Sequence, residues 1–352
     1  MSEIKKKKNY KKKPEEKPKP SPYKIKEMAD TETGEIREVK ELEEGAVAYF
    51  PKSEEEKKKE AEQEAYRYYV RKTQFVQLNR LLSNICGKLK QGEFHCFVKT
   101  LPYIGFKDQP ISVPVKKKKK NDDIEIEVVT TTKATATKLY EFWGVHKSTG
   151  IRYLNKFIEL GLFEEIPSNT RTKHYKAKGE LFFKGENKID DFTAKVFQEK
   201  LREVIEKVEE EVEKMKKKKR KDLDLYPLAV LGALMPFFHF QTYFAVKNFD
   251  EKIEVPEGKQ LVDVLLENDK CLKHLKKTEV WRYATGSTVK ASPNQLRIFQ
   301  MNLEILHKSG AVLTKTGNKS VFLIHPDLMF VSPEIRDIDY YKHCKNDFMQ
   351  TK

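Results

Sequence analysis

Ala136-Thr137-Lys138-Leu139-Tyr140-Glu141-Phe142-Trp143-Gly144-Val145-His146-Lys147-Ser148-Thr149-Gly150-Ile151-Arg152-Tyr153-Leu154-Asn155-Lys156-Phe157-Ile158-Glu159-Leu160-Gly161-Leu162-Phe163 is the stretch whose reading decides the fold. Leu139, Phe142, Val145, Ile151, Leu154, Phe157, Ile158 and Leu162 recur at three- and four-residue steps, so two amphipathic helices share one core. Gly144 stands where the chain must bend sharply, a place for positive φ. His146 is positioned to cap the second helix and Gly161 to stop it. Beyond it, Glu164-Glu165-Ile166 and His174-Tyr175-Lys176-Ala177 read as two strands around a polar tip, residues 167–173.

Helix, glycine turn, helix and hairpin in that order form the pattern of a winged helix-turn-helix, a unit that presents its second helix to the DNA major groove. On that reading Lys147, Ser148, Thr149 and Arg152 face outward at the N-terminal end of the recognition helix. Side chains there reach base edges, and the free N–H groups of the first turn favour phosphate. Arg171 and Lys173 at the hairpin tip are placed for phosphate or minor-groove contact.

A looser second copy follows between Lys277 and Asp327. Glu279 to Gly286 supplies a helix and its turn glycine. Ser292-Pro293 supplies an N-cap hydroxyl and an N1 proline, Gly310 a stop, and Val312 to Leu323 a hairpin. The matching contact candidates are Lys290, Asn294, Gln295 and Arg297 on the helix and Lys315 and Lys319 on the hairpin. Asn and Gln suit bidentate reading of adenine, although this helix could serve dimerisation instead.

Around these units the spacing predicts further elements. Phe75 to Ile85, Gln91 to Ile104 and Leu225 to Val246 read as apolar helices, and Lys252 to Pro256 as a short strand. Leu261 to Leu275 reads as a helical insertion. Pro110–Val115 and Ile124–Val129 suggest a hairpin around a charged loop beginning with Lys116 to Lys120. Ile189 to Lys221, without glycine or proline, reads as one long helix with a seam of Leu201, Val204, Val208, Val212 and Met215. That seam fits either a coiled-coil homodimer or packing on the helix's own domain. The fold class is therefore mainly α with small β hairpins: two winged helix-turn-helix domains joined by a long helix. The expected division is a basic, disordered segment over 1–52, winged-helix domains over 53–188 and 222–335, the long helix over 189–221, and a C-terminal tail over 336–352.

The second unit resembles the RepL-type replication proteins of Gram-positive plasmids and phages. The resemblance rests on Lys277-Thr278-Glu279-Val280, Ala284-Thr285-Gly286, Leu303-Glu304-Ile305-Leu306 and Leu323-Ile324-His325-Pro326-Asp327-Leu328, with Asp30-Thr31-Glu32-Thr33-Gly34-Glu35-Ile36 similar to that family's start. Tandem winged helices also resemble theta-type plasmid initiators. The resemblance implies a protein that recognises an origin and starts replication with host replication proteins. It departs in length, this chain being about twice a typical member, with an extra wing unit. A phage or plasmid transcription regulator, working with host transcription proteins, and a structural or partition protein remain as alternatives.

Bulk composition narrows the classes. The 352 residues carry a formal net charge of +15, which suits a polyanion partner through counterion release. Cys86, Cys96, Cys271 and Cys344 are scattered without metal-ligand spacing, which suggests free thiols and no structural metal. The Lys-rich start lacks a signal peptide's apolar run, and the apolar stretch from Leu223 to Val246 is interrupted by Pro227, Pro236, His239 and Gln241, so a cytoplasmic protein outside the membrane is expected. No phosphate-cradling Gly-Lys-Ser/Thr loop is present. His239 has Phe237 and Gln241 two positions away, so the paired histidines of a nicking enzyme are missing. These features point to a non-enzyme without a cofactor, whose partner is double-stranded DNA.

Overall fold

The computed structural model describes residues 23–29, 36–42, 52–121, 124–167, 172–185, 193–218, 223–316, 320–333 and 336–350. It is a mixed architecture, helices with small antiparallel sheets, and it divides into two units, residues 1–62 and 63–352. The first unit holds strands β1 (Tyr23–Ala29) and β2 (Ile36–Leu42), paired antiparallel from Tyr23 opposite Leu42 to Ala29 opposite Ile36. The segment 1–52 is thus not wholly without structure. Its residues 1–22, 30–35 and 43–51 lie outside the described ones. Helix α1 (Glu54–Lys72) opens with a capping box in which Ser53 and Glu56 hydrogen-bond each other's backbone N–H.

The second unit continues with β3 (Phe75–Asn79), α2 (Gln91–Thr100), the ribbon β4 (Ser112–Asn121) and β5 (Ile124–Lys133), α3 (Ala136–Trp143) and α4 (Lys147–Glu159). Then come β6 (Phe163–Ile166), β7 (His174–Ala177), β8 (Phe182–Phe183), β9 (Thr193–Phe197), α5 (Gln198–Lys218) and α6 (Pro227–Leu234). The chain closes with α7 (Leu261–Glu267), α8 (Lys277–Thr285), α9 (Pro293–Lys308), β10 (Val312–Thr316), β11 (Ser320–Ile324), β12 (Met329–Phe330) and α10 (Ile338–Gln350). One continuous hydrophobic core runs through both helix–turn–helix segments, with α2 and α6 at its centre. Gly232 makes that central crossing close: a Cβ there would sit 2.6 Å from Phe94 and Val98 of α2.

Several elements differ from the sequence expectation for identifiable reasons. Phe75 to Ile85 is not a helix but β3 followed by a 3-10 turn over Arg80–Ile85. β3 is a central strand of an antiparallel sheet ordered β12-β9-β3-β8, so its apolar residues pack against neighbours on both faces and lose the period-two signature. The long helix starts at Gln198 rather than Ile189, because Thr193–Phe197 pairs with β3. Leu201, Val204 and Val208 are fully buried within this chain, against α6 and α9, so this side of α5 packs on its own unit. The helix expected over Leu225 to Val246 spans only α6, with Pro227 in its first turn, and tightens into a 3-10 turn at Pro236. Lys252–Pro256 is irregular rather than a strand. The insertion is helical only over α7, followed by a 3-10 turn over Asp269–Cys271. The expected C-terminal tail is helix α10, which buries Tyr340, Cys344 and Phe348. Among the described residues no helix is long and apolar enough to cross a membrane.

Candidate nucleic-acid interface

The first helix–turn–helix is built as its residues dictate. Thr135 caps α3 by accepting from the N–H of Lys138. Gly144 takes φ +69°, the left-handed conformation that ends α3 and reverses the chain within three residues. His146 then caps α4: its Nδ1 accepts from the N–H of Ser148 and lies 2.9 Å from the Ser148 hydroxyl. Gly150 lets the helices touch, for a Cβ there would fall 2.2 Å from the Tyr140 ring.

Behind the unit, Trp143 donates its indole N–H to the Thr100 hydroxyl at 2.9 Å, pinning α3 to α2. Its ring meets Phe157 edge-on at 5.6 Å, and Phe157 meets Phe163 at 5.2 Å. Burying each such ring contributes roughly 1.5–3 kcal/mol, so the orientation of α4 is set by a rigid aromatic wall.

The outward side of α4 is the candidate interface. Lys147, Ser148 and Arg152 are exposed, as expected, while Thr149 is half-buried. Neither Lys147 nor Arg152 forms an ion pair with a described residue, and the Arg152 guanidinium lies 5.6 Å from the Tyr153 ring centre. Ile151, expected in the core, is 41% exposed instead. Asn155, which the sequence reading passed over, is exposed one turn further on. Lys147, Ile151 and Asn155 form one row at i, i+4 and i+8, beside Ser148 and Arg152 in the next. The sequence signal for it is weak: Asn155 lies four residues after Ile151, on a row that apolar spacing alone assigns to the core.

The hairpin β6–β7 stands beside this helix, registered from Phe163 opposite Ala177 to Ile166 opposite His174. Lys173 pairs with Glu165 at 2.8 Å, both groups being exposed, and Arg171 lies outside the described residues. An exposed pair of this kind is worth under about 1 kcal/mol, so phosphate can compete for Lys173. Lys176 is committed to structure: its hydrogen bonds to Asp108 and Glu164 hold its pKa above the usual lysine value.

The second helix–turn–helix is less tight. Gly286 ends α8 at φ +66°, but residues 287–292 intervene before α9, and a Cβ at Gly286 would meet the Leu89 carbonyl at 2.8 Å. Lys290, Asn294, Gln295 and Arg297 are all exposed. Gln295, however, is engaged in the helix cap, its Oε1 accepting from the Ser292 N–H at 2.8 Å. Arg297 donates to Asn294 Oδ1 at 3.4 Å. Lys315 sits in β10 opposite Val321, and Lys319 lies outside the described residues.

The basic run Lys116 to Lys120 is not a loop. It lies within β4, registered against β5. Among the described residues no group of His, Cys, Asp or Glu is arranged to hold a metal ion. No family model, no curated protein and no solved structure matches this chain.

Proposed function

We propose that the chain is a sequence-specific duplex-DNA-binding protein built on two winged helix-turn-helix units, with α4 as its principal recognition helix. The observation that carries this reading is the outer face of α4. Lys147, Ile151, Arg152 and Asn155 are exposed together on a helix whose opposite face is locked by Trp143, Phe157 and Gly150. Arg suits guanine, Asn suits adenine, and an exposed isoleucine suits the thymine methyl. The net charge of +15 supplies the sequence-independent attraction to phosphate. The biological use we propose, on the segments similar to RepL-type proteins, is recognition of a plasmid or phage replication origin.

The test is selection of bound sites from random duplexes, followed by titration of the Arg152→Ala variant. On the selected site this change should cost roughly 1–3 kcal/mol, with much less effect on random DNA. Equal losses on both would make Arg152 a phosphate contact and remove it from sequence reading. Repeated sites within a replication origin fit the proposed use, and a lone promoter operator contradicts it.

A further inference from the structure

A cavity of about 460 Å³ opens where the starts of α2 and α6 meet the end of α8 and the first half of α9. Its walls are fixed by contacts distant in sequence. Gly87 donates its N–H to the Tyr283 carbonyl at 3.1 Å, which holds α8 against the segment leading into α2. Asn302 Oδ1 accepts the Tyr226 N–H at 2.9 Å, which holds the start of α6 against α9. The cavity is therefore a property of the packed fold and not of one loop.

Its lining combines three kinds of chemistry. Trp281 and Phe299, 4% and 3% exposed, give it flat apolar surface beside the half-buried Tyr226. Asn302 is also only 4% exposed. Its carbonyl oxygen is taken by Tyr226, and its Nδ2 donates to no described residue. A buried amide donor without an acceptor is costly, and a ligand that supplies the acceptor recovers that cost. At the mouth, Lys90 and Asp224 are exposed and of opposite charge, and neither forms an ion pair with a described residue.

Opposite charges at one mouth restrict what can enter. A lone anion meets the carboxylate of Asp224, and a lone cation meets the ammonium of Lys90. A small zwitterion with a flat apolar body suits both charges and the aromatic lining, and the volume is within the range of small-molecule sites. We propose that this cavity binds a free aromatic α-amino acid, with its ammonium at Asp224, its carboxylate on Lys90 and the Asn302 amide, and its ring against Trp281 and Phe299. Because α8 and α9 supply two of the walls, the ligand bridges both helices of the second helix–turn–helix.

The experiment is isothermal titration of the full chain with phenylalanine, with phenylpropionate, which lacks the ammonium, with phenethylamine, which lacks the carboxylate, and with leucine, which lacks the ring. Phenylalanine should bind, and each of the other three should bind roughly threefold to tenfold more weakly. Asp224→Asn should abolish the preference over phenylpropionate and keep the preference over phenethylamine. Lys90→Gln should do the reverse. Both positions are exposed, and the four-ligand comparison on the wild type decides the matter even if a variant fails to fold. No binding of phenylalanine, tyrosine or tryptophan at millimolar concentration overturns the site. So does a truncated analogue or leucine that binds as well as phenylalanine, or folded charge variants that leave every preference in place. The titration contains no DNA, so its failure leaves duplex binding by α4 untouched, and a chain that binds no duplex leaves this site standing.

Discussion

Replacing Gly150 by alanine should reverse the ordinary sign of a helix substitution. In an unobstructed helix interior the change gains about 1 kcal/mol, because alanine loses less backbone entropy. Here the added Cβ would lie 2.2 Å from Tyr140 Cδ1, 2.4 Å from Cγ and 2.9 Å from Cβ. Carbon atoms pack best about 3.5–4.0 Å apart, so α3 and α4 must separate by about 1 Å or the ring must swing. The ring has little room, since Tyr140 is only 7% exposed and neighbours Trp143, itself held by Thr100. Overpacking of this sort costs about 1–3 kcal/mol, enough to cancel the helix gain and in most of that range to exceed it. Urea unfolding of the wild type, Gly150→Ala, Tyr140→Ala and the double variant isolates the clash as a coupling energy. Gly150→Ala should be destabilising alone and stabilising by about 1 kcal/mol once the ring is gone. Stabilisation in both backgrounds would mean that α3 and α4 do not approach this closely, and the geometry of the proposed recognition helix would fall with it.

Other outcomes follow from the same contacts. Trp143→Phe should cost about 1 kcal/mol beyond its lost ring area by unmaking the indole bond to Thr100, and Thr100→Val should remove most of that difference in a double-variant cycle. Val208→Asp places a carboxylate where the side chain is fully buried, so it should destabilise the fold by about 3–5 kcal/mol at any protein concentration; sedimentation showing a folded monomer from a dimeric wild type would instead assign that face to a dimer seam. Acid should weaken the protein before its carboxylates titrate. Burial, with Lys99 and Lys216 nearby, pushes His95 down to about 3, and burial also lowers His239. Each unfolded histidine takes up a proton near pH 6.5 that the folded chain refuses. For His95 stability is therefore complete above that pH and falls on the way down towards about 3, by at most about 1.4 kcal/mol per pH unit, and the lowered His239 adds a loss of the same sign. Urea midpoints at pH 7 and pH 5 measure this, and His95→Gln should flatten the difference.

The parts legible in the sequence are those fixed by local chemistry. Gly144, His146 and Gly161 bound α4, and Ser292, Pro293 and Gly310 bound α9, because positive φ and N-capping are properties of one or two residues. What was misread depends on partners distant in sequence. β3 resembled a helix because Val76 and Leu78 are buried between β8 and β9, more than 100 positions away. β9 vanished into the long helix because its pairing partner, and not its residues, makes it a strand. Ile151 looked like core because apolar spacing cannot distinguish a residue facing Tyr140 from one facing outward. Asn155 was overlooked because only the packing of Leu154 and Phe157 fixes which rows of α4 stay exposed.

The most direct test of the central claim is photochemical crosslinking of the full chain to random duplexes carrying 5-iodouracil, followed by mass spectrometry of the attached peptides. Contact between the outer rows of α4 and base edges predicts that crosslinks concentrate on peptides containing residues 147–155, with Ile151 beside the modified thymine position. Crosslinks confined to other segments, or none above those of an unrelated basic protein, would contradict it.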